Sequence, residues 1–189
     1  MSGRPGGGPG IGRGVVFVLG AAVAAFALYH RTDAYRRGNS LFYRGGRPNR
    51  AGRAFGNLWA AAADRGLTPA WVVSLETVGH RTGRRTAIPL VLADHDGQQY
   101  AVSMLGERSP WVHNVRAAGG RAVVRHGGRR EVDLVEVPPA DRAPILKAYL
   151  ARAVGGRPHI PVDPGAPLEA FERVAPDFPV FRIDAVSAT

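Results

Sequence analysis

The chain has 189 residues, enough for one domain that buries its own core, with length left for an extension. It contains no cysteine, which excludes a disulfide framework and thiolate catalysis. The formal charge is +10, yet residues 1–53 carry nine arginines against one acid, Asp33, so the remainder is close to neutral. A nucleic-acid-binding domain would carry its positive patch on the folded part, and that reading is set aside.

Residues 1–13 are glycine-rich and without periodicity, and disorder is expected there. Gly10-Ile11-Gly12-Arg13-Gly14 has the look of a dinucleotide loop, but no strand precedes it. Residues 15–29 are uncharged and apolar on every face, so a helix here belongs in a core or in lipid. Fifteen residues give a helix of roughly 22 Å, short of the ~30 Å hydrocarbon layer. Arg13 and Arg31 could snorkel to close that gap. Arg31, Arg36, Arg37, Arg44 and Arg47 follow, a cluster that holds the downstream chain on the cytoplasmic side. The expectation is a membrane anchor over residues 14–30, a basic linker over 31–49, and a catalytic domain over 50–189 at the cytoplasmic face of the membrane. A cleaved signal and a soluble helix in the cytoplasm are the alternatives.

Asn49 is placed to cap a helix running to about Asp64, with Phe55, Leu58, Trp59 and Ala62 as its buried face and Gly66 as its stop. Strands are predicted over 71–78, 86–93 and 100–104, the last two joined by a hairpin at Asp94-His95-Asp96-Gly97. Ser109 and Pro110 open a short helix that Gly119-Gly120 close. Residues 121–126 and 129–137 flank Gly127-Gly128 as a second hairpin. A helix over 141–153, a proline-dense loop over 155–167, a short helix over 168–174 and a strand over 180–183 complete the domain. Hairpins interrupted by short helices predict an α+β fold built on a small barrel, not a doubly wound sheet.

There is no nucleophile elbow, Walker loop or His-Glu-x-x-His zinc motif, and the histidines do not cluster at metal-ligand spacing. Asp94-His95-Asp96 comes nearest and reads as a solvated hairpin tip, so no metal is expected. A cofactor must carry the hard chemistry. Two segments could hold one. Gly79-His80-Arg81-Thr82-Gly83-Arg84-Arg85 sets cationic side chains on a turn between glycines, and guanidinium forks match phosphate and carboxylate oxygens. The plain alternative is an exposed basic turn. Ser103-Met104-Leu105 ends a strand where backbone amides run out of ladder partners, which suits a polar ring edge. Trp111 and Asn114 then share one helix face. Ser103 reads equally as an ordinary strand serine, and Trp111 as core.

With these two motifs at this spacing, residues 70–183 resemble the deazaflavin-dependent nitroreductase and quinone reductase family, whose members bind reduced coenzyme F420 on a split β-barrel of the flavin-mononucleotide-binding kind. The resemblance implies that Arg81 lies near the coenzyme's phosphate and glutamate tail. It makes His80, Thr82, Thr86, Ala87 and Ile88 further contact positions. It places the strand end Ala101, Val102, Ser103, Met104 and Leu105 against the ring, with Ser103 also facing substrate, Trp111 flanking the ring and Asn114 in contact. Thr86 stands where many members have arginine and Ile88 where many have asparagine, so Arg84 or Arg85 could substitute. The implied reaction is hydride transfer to a small two-electron acceptor: a quinone, a nitroaromatic or a conjugated alkene. A flavin mononucleotide (FMN) oxidoreductase on the same barrel and a non-enzymatic cofactor-binding or membrane-associated module are the alternatives.

Overall fold

The computed structural model describes residues 43–44 and 47–186. The expected glycine-rich tail and apolar segment lie outside these residues. Of the basic linker, Tyr43–Arg44 pairs antiparallel with Arg47–Pro48. Among the described residues no helix is long and apolar enough to cross a membrane.

Six antiparallel strands form a closed barrel: β1 (Val72–Val78), β2 (Arg85–His95), β3 (Gln98–Val102), β4 (Arg121–Arg125), β5 (Arg129–Glu136) and β6 (Val180–Ala185). The order around the barrel is β1-β2-β3-β6-β5-β4, and β4 pairs back onto β1 through Leu75 opposite Val124. Closure removes the unpaired edges of an open sheet. Side chains alternate across each strand. The inner set, including Val73, Leu75, Leu92, Val124, Val132, Leu134 and Phe181, fills the barrel core. The outer set on β2, β3 and β6, including Ala93, Val102 and Val180, packs under α3 (Arg142–Arg152) and α4 (Leu168–Val174). The β2–β3 hairpin turns on two residues, Asp96 and Gly97, with φ of 49° and 74°. Positive φ at both positions fits the strand twist, and aspartate and glycine tolerate it best.

Helix α1 (Arg50–Asp64) begins where expected: the Asn49 side chain accepts from the Gly52 amide at 2.9 Å. Its buried residues differ from expectation. Ala60 and Ala63 face the barrel and Gly56 lies over Pro89, while Leu58 is 68% exposed. Small residues let the helix axis approach the sheet closely, and the large side chains ride on the flanks. Strand β3 ends at Val102 rather than Met104, so residues 103–105 belong to a turn. Helix α2 (Pro110–Ala117) plugs that end of the barrel with Trp111, Val112 and Val115.

Candidate functional site

Two segments meet at the plugged end. The first is the turn after β1, closed by Gly79 N–H to Arg84 O and Gly83 N–H to Gly79 O, each 2.8 Å. Asn114 on α2 reaches across to it. Its side-chain oxygen accepts from the His80 amide at 3.0 Å, and its nitrogen donates to Thr77 Oγ1 at 3.2 Å. An amide N–H can only donate, so this bond fixes the orientation of the Asn114 side chain. The same oxygen lies 2.9 Å from His80 Nδ1, which therefore carries the hydrogen. Thr77 Oγ1 continues to Thr86 Oγ1 at 3.3 Å. A buried asparagine thus joins the β1–β2 turn, both strands and the helix of the second motif.

His80, Arg81, Thr82, Thr86 and Ala87 are exposed along this rim, and Ile88 is half-buried against the core. Arg81 and Arg84 have no carboxylate partner among the described residues, so two guanidinium groups face outward uncompensated. Arg85 does not share that freedom. Its Nη1 is 2.8 Å from Glu76, which also binds Arg125 at 3.1 Å. Of the two arginines expected to substitute for a missing tail contact, Arg85 is engaged by Glu76, and Arg84 has no carboxylate partner among the described residues.

The second segment differs from expectation in detail. Ala101 and Val102 are buried, with both backbones inside ladders to β2 or β6, so neither offers a surface. Ser103 is also buried. Its amide donates to Pro179 O at 2.9 Å, its hydroxyl donates to Gly106 O at 2.8 Å, and it accepts from the Ser109 hydroxyl at 2.6 Å. It therefore pins the turn and has no hydroxyl hydrogen to spare for substrate. Ser109 consequently occupies the N-cap position of α2 without making a side-chain capping bond. The amides of Met104 and Leu105 are the ones that donate to no acceptor among the described residues. Trp111 is buried with its ring centroid 5.3 Å from that of Phe181. It is a core residue, and little of its indole is left for a flat ligand.

The turn carrying those two free amides is fixed from below. Gly106 has φ of 64°, and a Cβ there would lie 2.7 Å from Asp177 O. Next to it, Glu107 pairs with Arg116 of α2, which also pairs with Glu136 at the end of β5. Hydrogen bonds from Arg116 hold both carboxyl groups below their usual range. Glu136 also accepts from Arg142 at 3.0 Å. Arg142 is almost fully buried and further donates to Val137 O at 2.8 Å. Sequence reasoning missed this network. Glu107 and Arg116 are nine residues apart and on different elements, which leaves no helical or strand spacing to detect.

A cleft of about 200 Å³ opens along β1, β4 and β5 and shares Thr77 and Arg85 with the residues described above, but not Arg81, Arg84, Met104 or Leu105. The site itself is an open rim with cations at one end and free amides at the other. No group of three or more potential metal ligands occurs among the described residues.

The sequence model of the F420H(2)-dependent quinone reductase family matches residues 60–156, which contain every element of this rim. The chain belongs to that family. It is thus an oxidoreductase that uses coenzyme F420. No curated protein matches it in sequence. Among solved structures, an F420-H2 dependent reductase is 20% identical, aligns over 61% of this chain and 95% of its own, and gives a TM-score of 0.40. A FAD-binding protein from Mesorhizobium loti is 21% identical over 68% of this chain and 90% of its own, with a TM-score of 0.41. A protein of the pyridoxinephosphate oxidase family from Clostridium acetobutylicum is 14% identical over 61% and 75%, also with a TM-score of 0.41.

The donor set fits the coenzyme. Uncompensated Arg81 and Arg84 suit an anionic tail, and the Met104 and Leu105 amides suit carbonyl edges of a polar ring.

Proposed function

We propose that the rim from Arg81 to Leu105 binds reduced F420 and presents it to a small quinone, with nitroaromatics and conjugated alkenes as further acceptors of the same two-electron type. The observation that carries this reading is Asn114: one buried side chain ties the cationic turn to the helix that follows the free amides. When bound, the coenzyme supplies a hydride. The chain supplies position. Arg81 and Arg84 take the anionic end, with His80 and Thr82 beside them. The Met104 and Leu105 amides would hold the polar edge of the ring. Thr86, Ala87 and Ile88 form the wall between. Holding acceptor and ring at near-attack distance is the main catalytic contribution such a site makes. Because the Ser103 hydroxyl is already committed, proton delivery to the reduced acceptor falls to water.

Fluorescence-quenching titrations with F420 and with FMN test the cofactor, and turnover with menadione, a nitroimidazole and a conjugated enone ranks the acceptors. Tighter binding of F420 together with menadione reduction is expected. Equal affinity for both cofactors, or preference for FMN, overturns the reading.

We further propose that residues 14–30 tether this domain, residues 50–189, to the cytoplasmic face of the membrane through the intervening basic linker. Support comes from the sequence: an uncharged apolar run followed by Arg31, Arg36 and Arg37. That location favours a lipid-soluble quinone.

A further inference from the structure

The barrel has a second mouth, opposite the end that α2 plugs. It is ringed by the start of β1, the β2–β3 hairpin and the β4–β5 hairpin, and it opens into a cup of about 380 Å³. The floor is apolar: Val73, Leu92 and Val124, all buried. Strand alternation decides the rim. Arg130 shares the inner side of β5 with Val132 and Leu134, Gln99 that of β3 with Ala101, and His126 follows the inner Val124. His126 is already oriented, its Nε2 lying 2.8 Å from Thr68 O.

The charge at this mouth is one-sided. No carboxylate lines the cup. Arg129 is met by Glu131 at 2.8 Å, and Asp94 at the same end is held by Arg152. Arg130 has no carboxylate partner among the described residues. A cup of this volume, with an apolar floor and a polar, cationic rim, has the make-up of a small-ligand site.

We propose that this mouth binds a small amphipathic monocarboxylate, its hydrocarbon part on Val73, Leu92 and Val124 and its carboxylate on Arg130 with help from the Gln99 amide. A neutral apolar molecule would leave the guanidinium unanswered. The site is separate from the cofactor rim and does not depend on the function proposed there.

The test uses the full chain and decanoate below its micelle-forming concentration, followed by amide NMR. Shifts should concentrate at Ala70, His126 and Gly128, and decanol should bind about tenfold more weakly or worse. Arg130→Gln should lower decanoate affinity to a similar extent while F420 titration stays unchanged. Ala70→Trp, which narrows the mouth from an exposed position, should weaken decanoate and decanol alike. Three results overturn the proposal: shifts confined to the Met104–Leu105 end, equal affinity for decanol and decanoate, or undiminished binding by a folded Arg130→Gln protein.

Discussion

Arg116 and Glu107 form a two-bonded ion pair, with nitrogen–oxygen distances of 2.6 and 2.8 Å. The pair fastens the turn that carries the free Met104 and Leu105 amides to the helix that carries Asn114. Since the same guanidinium also holds Glu136 through bonds of 2.8 and 2.7 Å, the turn is referenced to the barrel wall and not to the helix alone.

Arg116→Ala should therefore cost about 1 kcal/mol of stability, since each partly exposed pair contributes only ~0.2–1 kcal/mol. Cofactor affinity should fall as well, because the two amides lose their fixed spacing. Both Glu107 and Glu136 have folded-state pKa values below the ordinary 4.5. Their stabilising contribution is present above that value and is lost as pH falls through the depressed ones. Acid titration of thermal stability should show a fall below pH 4.5 that is shallower in Arg116→Ala. An identical acid limb in both proteins would mean that the pair contributes nothing.

Asn114→Ala should do more damage than its size suggests. The His80 amide loses its acceptor and Thr77 its donor, at a cost of about 1–3 kcal/mol for a buried group left unpaired. Chemical denaturation should register that loss. F420 binding should weaken in the same variant, while Asn57→Ala, on an exposed face of α1, serves as the unaffected control. Retained affinity in a folded Asn114→Ala protein would detach the two motifs from each other.

The arginines of the first turn should separate by partner. Arg81→Ala and Arg84→Ala should each weaken F420 by about 1.5–3 kcal/mol, an effect that shrinks with added salt. Arg85→Ala should leave affinity nearly unchanged, because its charge is matched by Glu76. Titrations at two ionic strengths distinguish the three. A loss for Arg85→Ala as large as for Arg84→Ala would show that the tail runs along β2 instead.

Trp111→Ala should read out in stability before binding. Removing a buried aromatic packed on Phe181 costs about 3–5 kcal/mol. Calorimetry should find a protein with a much lower Tm whose remaining folded fraction still quenches with F420. A variant of unchanged Tm that no longer binds would return the indole to the ligand site.

Deleting residues 1–40 should give a soluble domain that binds F420 with the affinity of the full chain. Fractionation at low salt checks the anchor: full-length protein should pellet with membranes, and the shortened form should stay in the supernatant. Supernatant location of both forms would sink the tether.

Much of this fold could be read from local chemistry. Asn49, Asp96-Gly97, Pro110 and Gly119-Gly120 each mark a boundary with a specific backbone requirement, and the corresponding elements begin or end within about two residues of them. What was illegible depends on distance in sequence. Ser103 reads as a strand serine with a free hydroxyl until Ser109 and Pro179 arrive beside it. Trp111 reads as a platform until Phe181, seventy positions on, covers it. Leu58 fits a helical stripe, yet Gly56, Ala60 and Ala63 bring the helix closer. Charged pairs such as Arg116 with Glu107 have no period at all.

Strand β6 sits between β3 and β5, yet of the six barrel strands it is the last to leave the ribosome. Until residues 180–185 emerge, β3 and β5 each present a row of unanswered amides and carbonyls, and Phe181 is missing from beside Trp111. Such open edges are templates for pairing with another chain. The nascent barrel is therefore vulnerable until β6 emerges and closes it. Slow translation of the proline-dense stretch before α4 would prolong the exposure, and a chaperone that shields strand edges would act on β3 and β5.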